Sequence, residues 1–158
     1  MELEYTEDTM RKLNILSDRG DADAQYCLGE KYYNDGEVRE AIRYFMLADR
    51  NGSPHAANYL GCLLMDRGDA GRAEKYWRRA ADRGLSTAMF NLGLMYYRRG
   101  DFSRAKELFE KSADKGCPEA MHGLSNVYLA EGNKDKAVEW WERAKEAKAE
   151  QINGYDTV

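Results

Sequence analysis

The sequence predicts an all-α protein, a right-handed α-solenoid in which antiparallel helical hairpins stack on one another. The main observation is a period of 32 residues, which two series of glycines keep through the chain. The first series is Gly20, Gly52, Gly84 and Gly116, and the second is Gly36, Gly68, Gly100 and Gly132. Only two of the 158 residues are proline, so most of the chain is free to be helical. Since one repeat cannot bury its apolar face alone, successive repeats are expected to stack.

Each repeat is predicted to contain two helices, each with one apolar face. In the third repeat the first helix carries its apolar residues at i, i+4, i+7 and i+8, which places them on one side at about 100° per residue. They are Ala88, Leu92, Met95 and Tyr96. The second helix carries a similar stripe, made of Ala105, Leu108, Phe109 and Ser112.

Capping residues and small residues mark the ends and contacts of these helices. A candidate N-cap follows each glycine of the second series, namely Asp69, Asp101 and Asn133, with Glu37 as the weaker member. The glycines of the first series are expected to end the second helices at positive φ. Pro54 and Pro118 lie near helix starts, where a missing N–H costs nothing. A third series, Gly29, Gly61 and Gly93, is expected to let helix axes approach closely.

The predicted repeat domain spans residues 3–150. It contains a half repeat at 3–20 and four repeats at about 21–52, 53–84, 85–116 and 117–150. The half repeat and the last helix, at 134–150, are expected to cap the two ends of the stack with polar faces. Residues 151–158 are predicted to form a flexible tail.

Charge and hydropathy disfavour two classes of partner. The chain has 24 Lys and Arg against 28 Asp and Glu, a net charge of −4, and no clustered positive field for nucleic acid or an anionic membrane. No apolar run approaches the roughly 18 residues that a membrane span needs. The N-terminal stretch is acidic, unlike a secretory signal, which favours a cytoplasmic protein. A signal already removed from a longer precursor remains the alternative.

The thiols and histidines point away from disulfides, metal binding and catalysis. Cys27, Cys62 and Cys117 are odd in number and lie at different positions of the repeat, so reduced thiols in a cytosol-like compartment are expected. The only histidines, His55 and His122, fall in different repeats, which fits neither a catalytic group nor a zinc site. No phosphate-binding glycine motif is present in the sequence. We therefore expect no catalytic residue, no metal and no cofactor.

Two motifs give the chain a family resemblance. Leu28-Gly29-x-x-Tyr32 followed by Ala41-x-x-x-Phe45 resembles the tetratricopeptide repeat. Ala80-Ala81-x-x-Gly84-x-x-x-Ala88 is similar to the Sel1-like repeat, a close cousin. The resemblance covers the chain from Gly20 to near Gln151. The chain departs from the tetratricopeptide pattern at four positions where that repeat carries tryptophan, namely Gln25, Ala57, Met89 and Met121. It also has Ser125 where the other repeats have glycine. The resemblance implies an adaptor that holds a protein or peptide partner in a concave groove lined by the first helices.

The sequence offers its own candidates for that groove. Opposite each core stripe, a second line of residues runs along the first helix at i, i+4 and i+7. It consists of Tyr26, Glu30 and Tyr33; Asn58, Cys62 and Met65; Phe90, Leu94 and Tyr97; and His122, Asn126 and Leu129. Most of these side chains are apolar or aromatic, which is typical of an interaction surface. The alternative is that part of the line packs between repeats as core.

The same line restricts the chemistry of the partner. It contains no Lys or Arg, so it is poorly suited to clamping the carboxylate of an acidic C-terminal peptide. An apolar or mildly basic segment suits Asp23, Glu30 and Glu119 better.

Self-association is the second hypothesis for function. A homo-oligomeric scaffold would assemble through outer or terminal helices, where Trp77, Trp140 and Trp141 are found. Trp77 and Trp141 fall in the core register of Phe45, which leaves Trp140 as the candidate contact of a dimer. The expected state is a monomer or a weak homodimer.

Overall fold

The computed structural model describes residues 5–155, and over this range the chain forms nine α-helices and no strand. The helices are α1 (Glu7–Asp18), α2 (Ala22–Asn34), α3 (Val38–Arg50), α4 (Pro54–Asp66), α5 (Ala70–Asp82), α6 (Ser86–Arg98), α7 (Phe102–Ala113), α8 (Pro118–Ala130) and α9 (Lys134–Tyr155). The predicted all-α class and the pairing of two helices per repeat are confirmed.

The helices divide between two compact units. The N-terminal unit ends at Gly84 and contains α1 to α5, and the C-terminal unit begins at Leu85 and contains α6 to α9. Within each unit the two helices of a repeat pack as a hairpin, α2 with α3 and α4 with α5, then α6 with α7 and α8 with α9. Each unit therefore holds two complete repeats, which allows position-by-position comparison between them.

Side-chain caps begin the second helices as the sequence predicted. Asp69 accepts a hydrogen bond from the Arg72 backbone N–H at 3.0 Å, and Asp101 accepts one from Arg104 at 3.1 Å. The Asn133 side chain caps α9 in the same way, whereas Glu37 makes no such bond, as expected for the weaker member. Such caps satisfy N–H groups that have no partner inside the helix.

The helix starts and the glycine turns also agree with prediction. Pro54 and Pro118 are the first residues of α4 and α8. Gly84, after α5, has φ of 90°, and Gly100, between α6 and α7, has φ of 78°. All eight glycines of the two series share this left-handed conformation, which other residues rarely adopt.

The buried core follows the predicted stripes. Ala88, Leu92, Met95 and Tyr96 are buried on α6, and Ala105, Phe109 and Ser112 are buried on α7, with Leu108 half-buried. The buried Ser112 hydroxyl donates a hydrogen bond to the Ser86 carbonyl at 2.8 Å, so its polar group is satisfied.

Glycines on the first helices hold aromatic rings of the second helices. A Cβ added at Gly29 would lie 2.7 Å from the ring of Phe45, one at Gly61 would lie 2.5 Å from Trp77, and one at Gly93 would lie 2.6 Å from Phe109. These distances are shorter than van der Waals contact, so each ring occupies the space of a missing side chain. At this glycine series the close contact is between the first helix and an aromatic ring of the second.

The fourth repeat departs from this arrangement and corrects two predictions. Trp141, expected in the core, is 46% exposed, and Trp140, the expected dimer contact, is half-buried against the core cluster of the C-terminal unit. Ser125 stands where the other repeats have glycine, and its hydroxyl donates to the Ala137 carbonyl at 2.7 Å. Because the side chain of Ser125 fills the space that glycine leaves free in the other repeats, the ring of Trp141 cannot pack against α8 at this position.

The first helix agrees with the predicted cap, whereas the last helix is longer than predicted. Helix α1 buries no residue, as expected of a cap, although residues 3 and 4 of the predicted half repeat lie outside the described range. Helix α9 continues through Tyr155, so residues 151–155 are helical where the sequence predicted a tail. The Gln151 side chain donates to the Gly116 carbonyl at 3.3 Å, which ties this part of the helix to the α7–α8 turn. Residues 156–158 of the predicted tail lie outside the described range.

Candidate functional site

Five of the predicted groove residues line one cavity in the C-terminal unit. Helix α6 contributes Phe90, Leu94 and Tyr97, and helix α8 contributes His122 and Asn126. The cavity has a volume of about 280 Å³. The i, i+4, i+7 spacing on α6 places its three side chains on one helix face, which forms the apolar wall.

Phe109 and Gly123 complete this cavity, and neither was among the predicted groove residues. Phe109 reaches from α7 with 1% exposure, and its ring centroid lies 5.9 Å from that of Phe90. A Cβ at Gly123 would lie 2.8 Å from the Phe109 ring, so the glycine allows α8 to pack directly against this ring and against α6. The sequence signal was available, because Gly123 breaks the pattern of larger residues at the equivalent positions of the other repeats, Cys27, Tyr59 and Asn91.

The polar groups of the cavity come from α8. Glu119, His122 and Asn126 follow one another at i, i+3 and i+7, with Glu119 and Asn126 exposed. The Cys117 thiol donates a hydrogen bond to the Glu119 carboxylate at 3.3 Å. Burial raises the pKa of Cys117, which keeps this thiol protonated as a donor. The cavity therefore combines an apolar wall with one carboxylate.

The equivalent place in the N-terminal unit is occupied by an aromatic ring. Two repeats earlier than Gly123, position 59 carries tyrosine. The Tyr59 ring lies 4.3 Å from Phe45 and 5.4 Å, edge-on, from Tyr33. Tyr59 thus bridges α2 and α4 where the C-terminal unit has its cavity.

Tyr26 and Glu30 belong to the same aromatic cluster. The Tyr26 ring lies 5.6 Å from Phe45 and 5.7 Å from His55. Burial raises the pKa of Tyr26, and the neighbouring Glu30 carboxylate raises it further. Tyr26 therefore contacts Phe45, whereas Tyr33 contacts Tyr59 and is 45% exposed.

The remaining members of the predicted line lie apart from the cavity. Asn58, Cys62 and Met65 are half-buried on α4, and the Asn58 carbonyl accepts a hydrogen bond from the Trp77 indole at 3.2 Å. Leu129 is 54% exposed near the end of α8.

The surroundings of the thiols and of the acidic groups bear on thiol reactivity and on metal binding. Cys27, Cys62 and Cys117 are free, and burial raises the pKa of each, which lowers the reactivity of a thiol. Over residues 5–155 no three His, Cys, Asp or Glu side chains come together as metal ligands would. In the same range no helix has the length and apolar character needed to cross a membrane.

Comparison with known families identifies the repeat. The tetratricopeptide repeat profile matches residues 60–116 and 96–152, together more than half of the chain. The chain belongs to the tetratricopeptide repeat family. No curated protein sequence matches this tetratricopeptide repeat protein.

Solved structures confirm the α-solenoid fold. A Sel1 repeat protein from Oxalobacter formigenes superposes with a TM-score of 0.76 at 24% identity, covering 89% of this chain and 64% of its own. A protective antigen of uropathogenic Escherichia coli with an SLR fold gives 0.69 at 27% identity, covering 88% and 34%. YrrB, a tetratricopeptide repeat protein with an unusual peptide-binding site, gives 0.58 at 23% identity, covering 92% and 79%. The predicted resemblance to Sel1-like, tetratricopeptide-related proteins is confirmed.

Proposed function

We propose that this protein is an interaction module that binds a partner peptide in the cavity between α6 and α8. The observation that carries the proposal is the apolar wall of Phe90, Leu94 and Tyr97, which stays partly exposed although it lies beside a well-packed core. Apolar surface that water still reaches in a concave site gains free energy when a partner covers it. The peptide-binding site of YrrB supports the same use of the fold.

The cavity selects a particular kind of segment. Its volume of about 280 Å³ lies at the lower end of small-ligand pockets, a size that suits one or two anchoring side chains rather than a cofactor. An aliphatic or aromatic residue of the partner would contact Phe90 and Tyr97. A Lys or Arg beside that anchor would face Glu119, whereas an acidic residue there would be repelled.

The proposal assigns the protein no enzymatic activity and no cofactor. His55 and His122 lie in different units, and burial raises the pKa of all three thiols, so neither residue type forms an activated catalytic group. Free cysteines support a reducing compartment, and we place the protein in the cytoplasm. The proposal is narrower than the predicted groove, because it leaves out Tyr26, Glu30, Tyr33, Asn58, Met65 and Leu129, which do not line the cavity.

A peptide library tests this function. Random peptides displayed at high diversity are selected on the purified protein, and the enriched peptides are titrated by fluorescence polarisation. We expect enriched peptides to carry an apolar anchor beside a basic residue and to bind the Phe90→Ala, Tyr97→Ala double variant at least about tenfold more weakly, as for the truncation of an anchor pocket.

The matched control is Leu129→Ala, an exposed position on α8 outside the cavity, which should leave the affinity unchanged. Circular dichroism verifies that the variants keep their helix content. Peptides that bind the double variant as tightly as the wild type, or selection that enriches no sequence at all, would contradict the proposal.

A further inference from the structure

A second apolar surface lies in the N-terminal unit, where α3, α4 and α5 pack together. Ile42 and Met46 of α3, Leu63 and Leu64 of α4, and Tyr76 of α5 line a cavity of about 230 Å³. Ile42 and Met46 also line an adjoining cavity of about 420 Å³ along α3. We call the two cavities together the arginine groove. They share no residue with the C-terminal cavity of the proposed function.

Arginines line this groove on both sides. Along α3 they are Arg39, Arg43 and Arg50, at i, i+4 and i+11, which places them on one face of the helix. The first and last of these positions are roughly 16 Å apart along the helix axis. On the other side, Arg67 follows α4 and Arg72 belongs to α5. The groove is thus apolar at its centre and positively charged at its edges.

Acidic side chains neutralise only part of this charge. Glu40 pairs with Arg43, and Asp69 pairs with Arg72. The other arginines of the groove have no acidic partner among residues 5–155, namely Arg39, Arg50 and Arg67. In the described part of the chain no Asp or Glu lines either cavity. A local positive surface therefore exists in a protein whose net charge is −4.

The buried carboxylate of this unit is already shared between two further arginines. Asp49 is 3% exposed and pairs with both Arg79 and Arg83. The Arg79 guanidinium also lies 5.2 Å from the centroid of the Tyr76 ring, which lines the groove. Because one carboxylate faces two guanidinium groups, the α5 side of the groove also carries an excess of positive charge.

The equivalent surface of the C-terminal unit has a different character. Two repeats later, the α3 side of the groove corresponds to acidic positions. They are Glu107, Glu110 and Asp114, where the N-terminal unit has Arg43, Met46 and Arg50. Lys106 replaces Ile42, and its ammonium lies 4.1 Å from the Tyr128 ring centroid and pairs with Glu131. The positive groove therefore depends on particular side chains of the N-terminal unit and not on the repeat frame.

We propose that the arginine groove binds an acidic segment of a partner protein. One aliphatic or aromatic side chain of the segment enters the smaller cavity, and Asp or Glu residues on both sides of it pair with the arginines. Guanidinium groups bind carboxylates through two parallel hydrogen bonds. Because the arginines of α3 are spread over roughly 16 Å, the length of about five extended residues, they match several separate carboxylates better than one phosphate group.

The rest of the protein disfavours longer polyanions. Nucleic acid and anionic membranes extend well beyond one groove, and a surface with a net charge of −4 repels them there. A short acidic segment contacts the groove alone. Its apolar side chain also gains affinity from the cavity, as an anchor residue does at a protein interface.

An acidic peptide library tests this proposal on the purified protein. Each peptide has about 12 residues, enough to span the arginines of α3, with a central Leu, Phe or Trp flanked by random sequence rich in Asp and Glu. The matched library carries Asn and Gln in their place. We expect only the acidic library to enrich binders, and fluorescence polarisation should show weaker binding as salt rises from about 50 to about 500 mM. Replacing the central residue by Gly should weaken binding at least about tenfold.

Charge reversal at two arginines locates the binding site. Arg39→Glu and Arg50→Glu are combined, since both side chains are exposed and have no acidic partner, so the fold should tolerate the change. The double variant should bind the selected peptides at least about tenfold more weakly. The matched control, Arg11→Glu with Lys148→Glu, makes the same change in net charge at exposed positions that line neither cavity, and it should bind like the wild type.

Circular dichroism verifies that these variants keep their helix content. The proposal is overturned if the acidic library enriches nothing, if the Asn and Gln peptides bind as tightly, or if the Arg39→Glu, Arg50→Glu variant binds like the wild type. Single-stranded DNA or phosphatidylserine vesicles that bind more tightly than the peptides, and lose binding in this variant, would also overturn it. So would acidic peptides that lose affinity for the Phe90→Ala, Tyr97→Ala variant, because they would then occupy the C-terminal cavity.

Discussion

The two units share one repeat frame and differ in what packs beside the buried phenylalanine of the first hairpin. Phe45 and Phe109 are equivalent, both are essentially fully buried, and both press against a glycine of their own hairpin. Beside Phe45 the next repeat places the ring of Tyr59, whereas beside Phe109 it places Gly123. The same scaffold is therefore closed by an aromatic cluster in one unit and left with an apolar cavity in the other. Repeats can keep their core constant while one position sets the surface.

The largest expected effect concerns the element that the units share. Phe109→Ala removes a fully buried ring and should lower the free energy of unfolding by roughly 3–5 kcal/mol, as should Phe45→Ala. Chemical denaturation measures both. If one substitution costs far less than the other, the two units do not share the same core.

The second-largest effect on stability is expected where Gly61 lies against the ring of Trp77. Gly61→Ala places a Cβ 2.5 Å from Trp77 and should cost roughly 1–3 kcal/mol by overpacking. The control is Gly71→Ala on α5, where nothing lies within 4 Å, so the better helix former should stabilise the protein by roughly 0.5–1 kcal/mol. If thermal unfolding gives equal effects for the two substitutions, Gly61 and the Trp77 ring are not tightly packed.

Much of this frame could be predicted from the sequence because it repeats. The period placed the helices, the caps at Asp69 and Asp101 and the turn glycines of positive φ correctly, since each depends on local geometry that recurs along the chain. The exposure of Trp141 did not follow from the period, because a ring at this position is buried only where the first helix has a glycine, and here it has Ser125.

The cavity itself was only half predictable. Helical spacing predicts that Phe90, Leu94 and Tyr97 share one face of α6. The cavity also depends on the contact between Gly123 and Phe109, which belong to different repeats. Spacing within one helix carries no information on such a contact, and only comparison of Gly123 with the equivalent positions of the other repeats points to it. The helical extension to Tyr155 was missed for a similar reason, since the Gln151–Gly116 hydrogen bond joins distant parts of the sequence.

A smaller effect should separate the cavity wall from the core. Phe90→Ala and Tyr97→Ala remove half-buried rings, so each should cost less than about 2 kcal/mol, well below the cost at Phe109. Unfolding in urea measures the difference. A loss comparable to that of Phe109→Ala would mean that these rings belong to the core and not to an open site.

The smallest expected effect is the contribution of Tyr26 to the pH dependence of stability. The folded state raises the pKa of Tyr26, chiefly by burial, so the unfolded chain loses this proton first as the pH rises. Stability should therefore be intact below about pH 10 and fall above it. Tyr26→Phe, which copies Phe90 of the other unit, should flatten this fall in alkaline unfolding curves. An unchanged alkaline slope in the variant would show that Tyr26 does not contribute to it.

The central claim is that the C-terminal cavity, and not its filled counterpart in the N-terminal unit, receives the side chain of a partner. Titration of a selected peptide into isotopically labelled protein, followed by amide NMR, tests this directly. The account predicts that the largest shifts occur at Phe90, Tyr97 and Gly123, while the amides of Tyr26, Tyr33 and Tyr59 stay in place. Shifts centred on Tyr59 and its neighbours, with Gly123 unmoved, would contradict it.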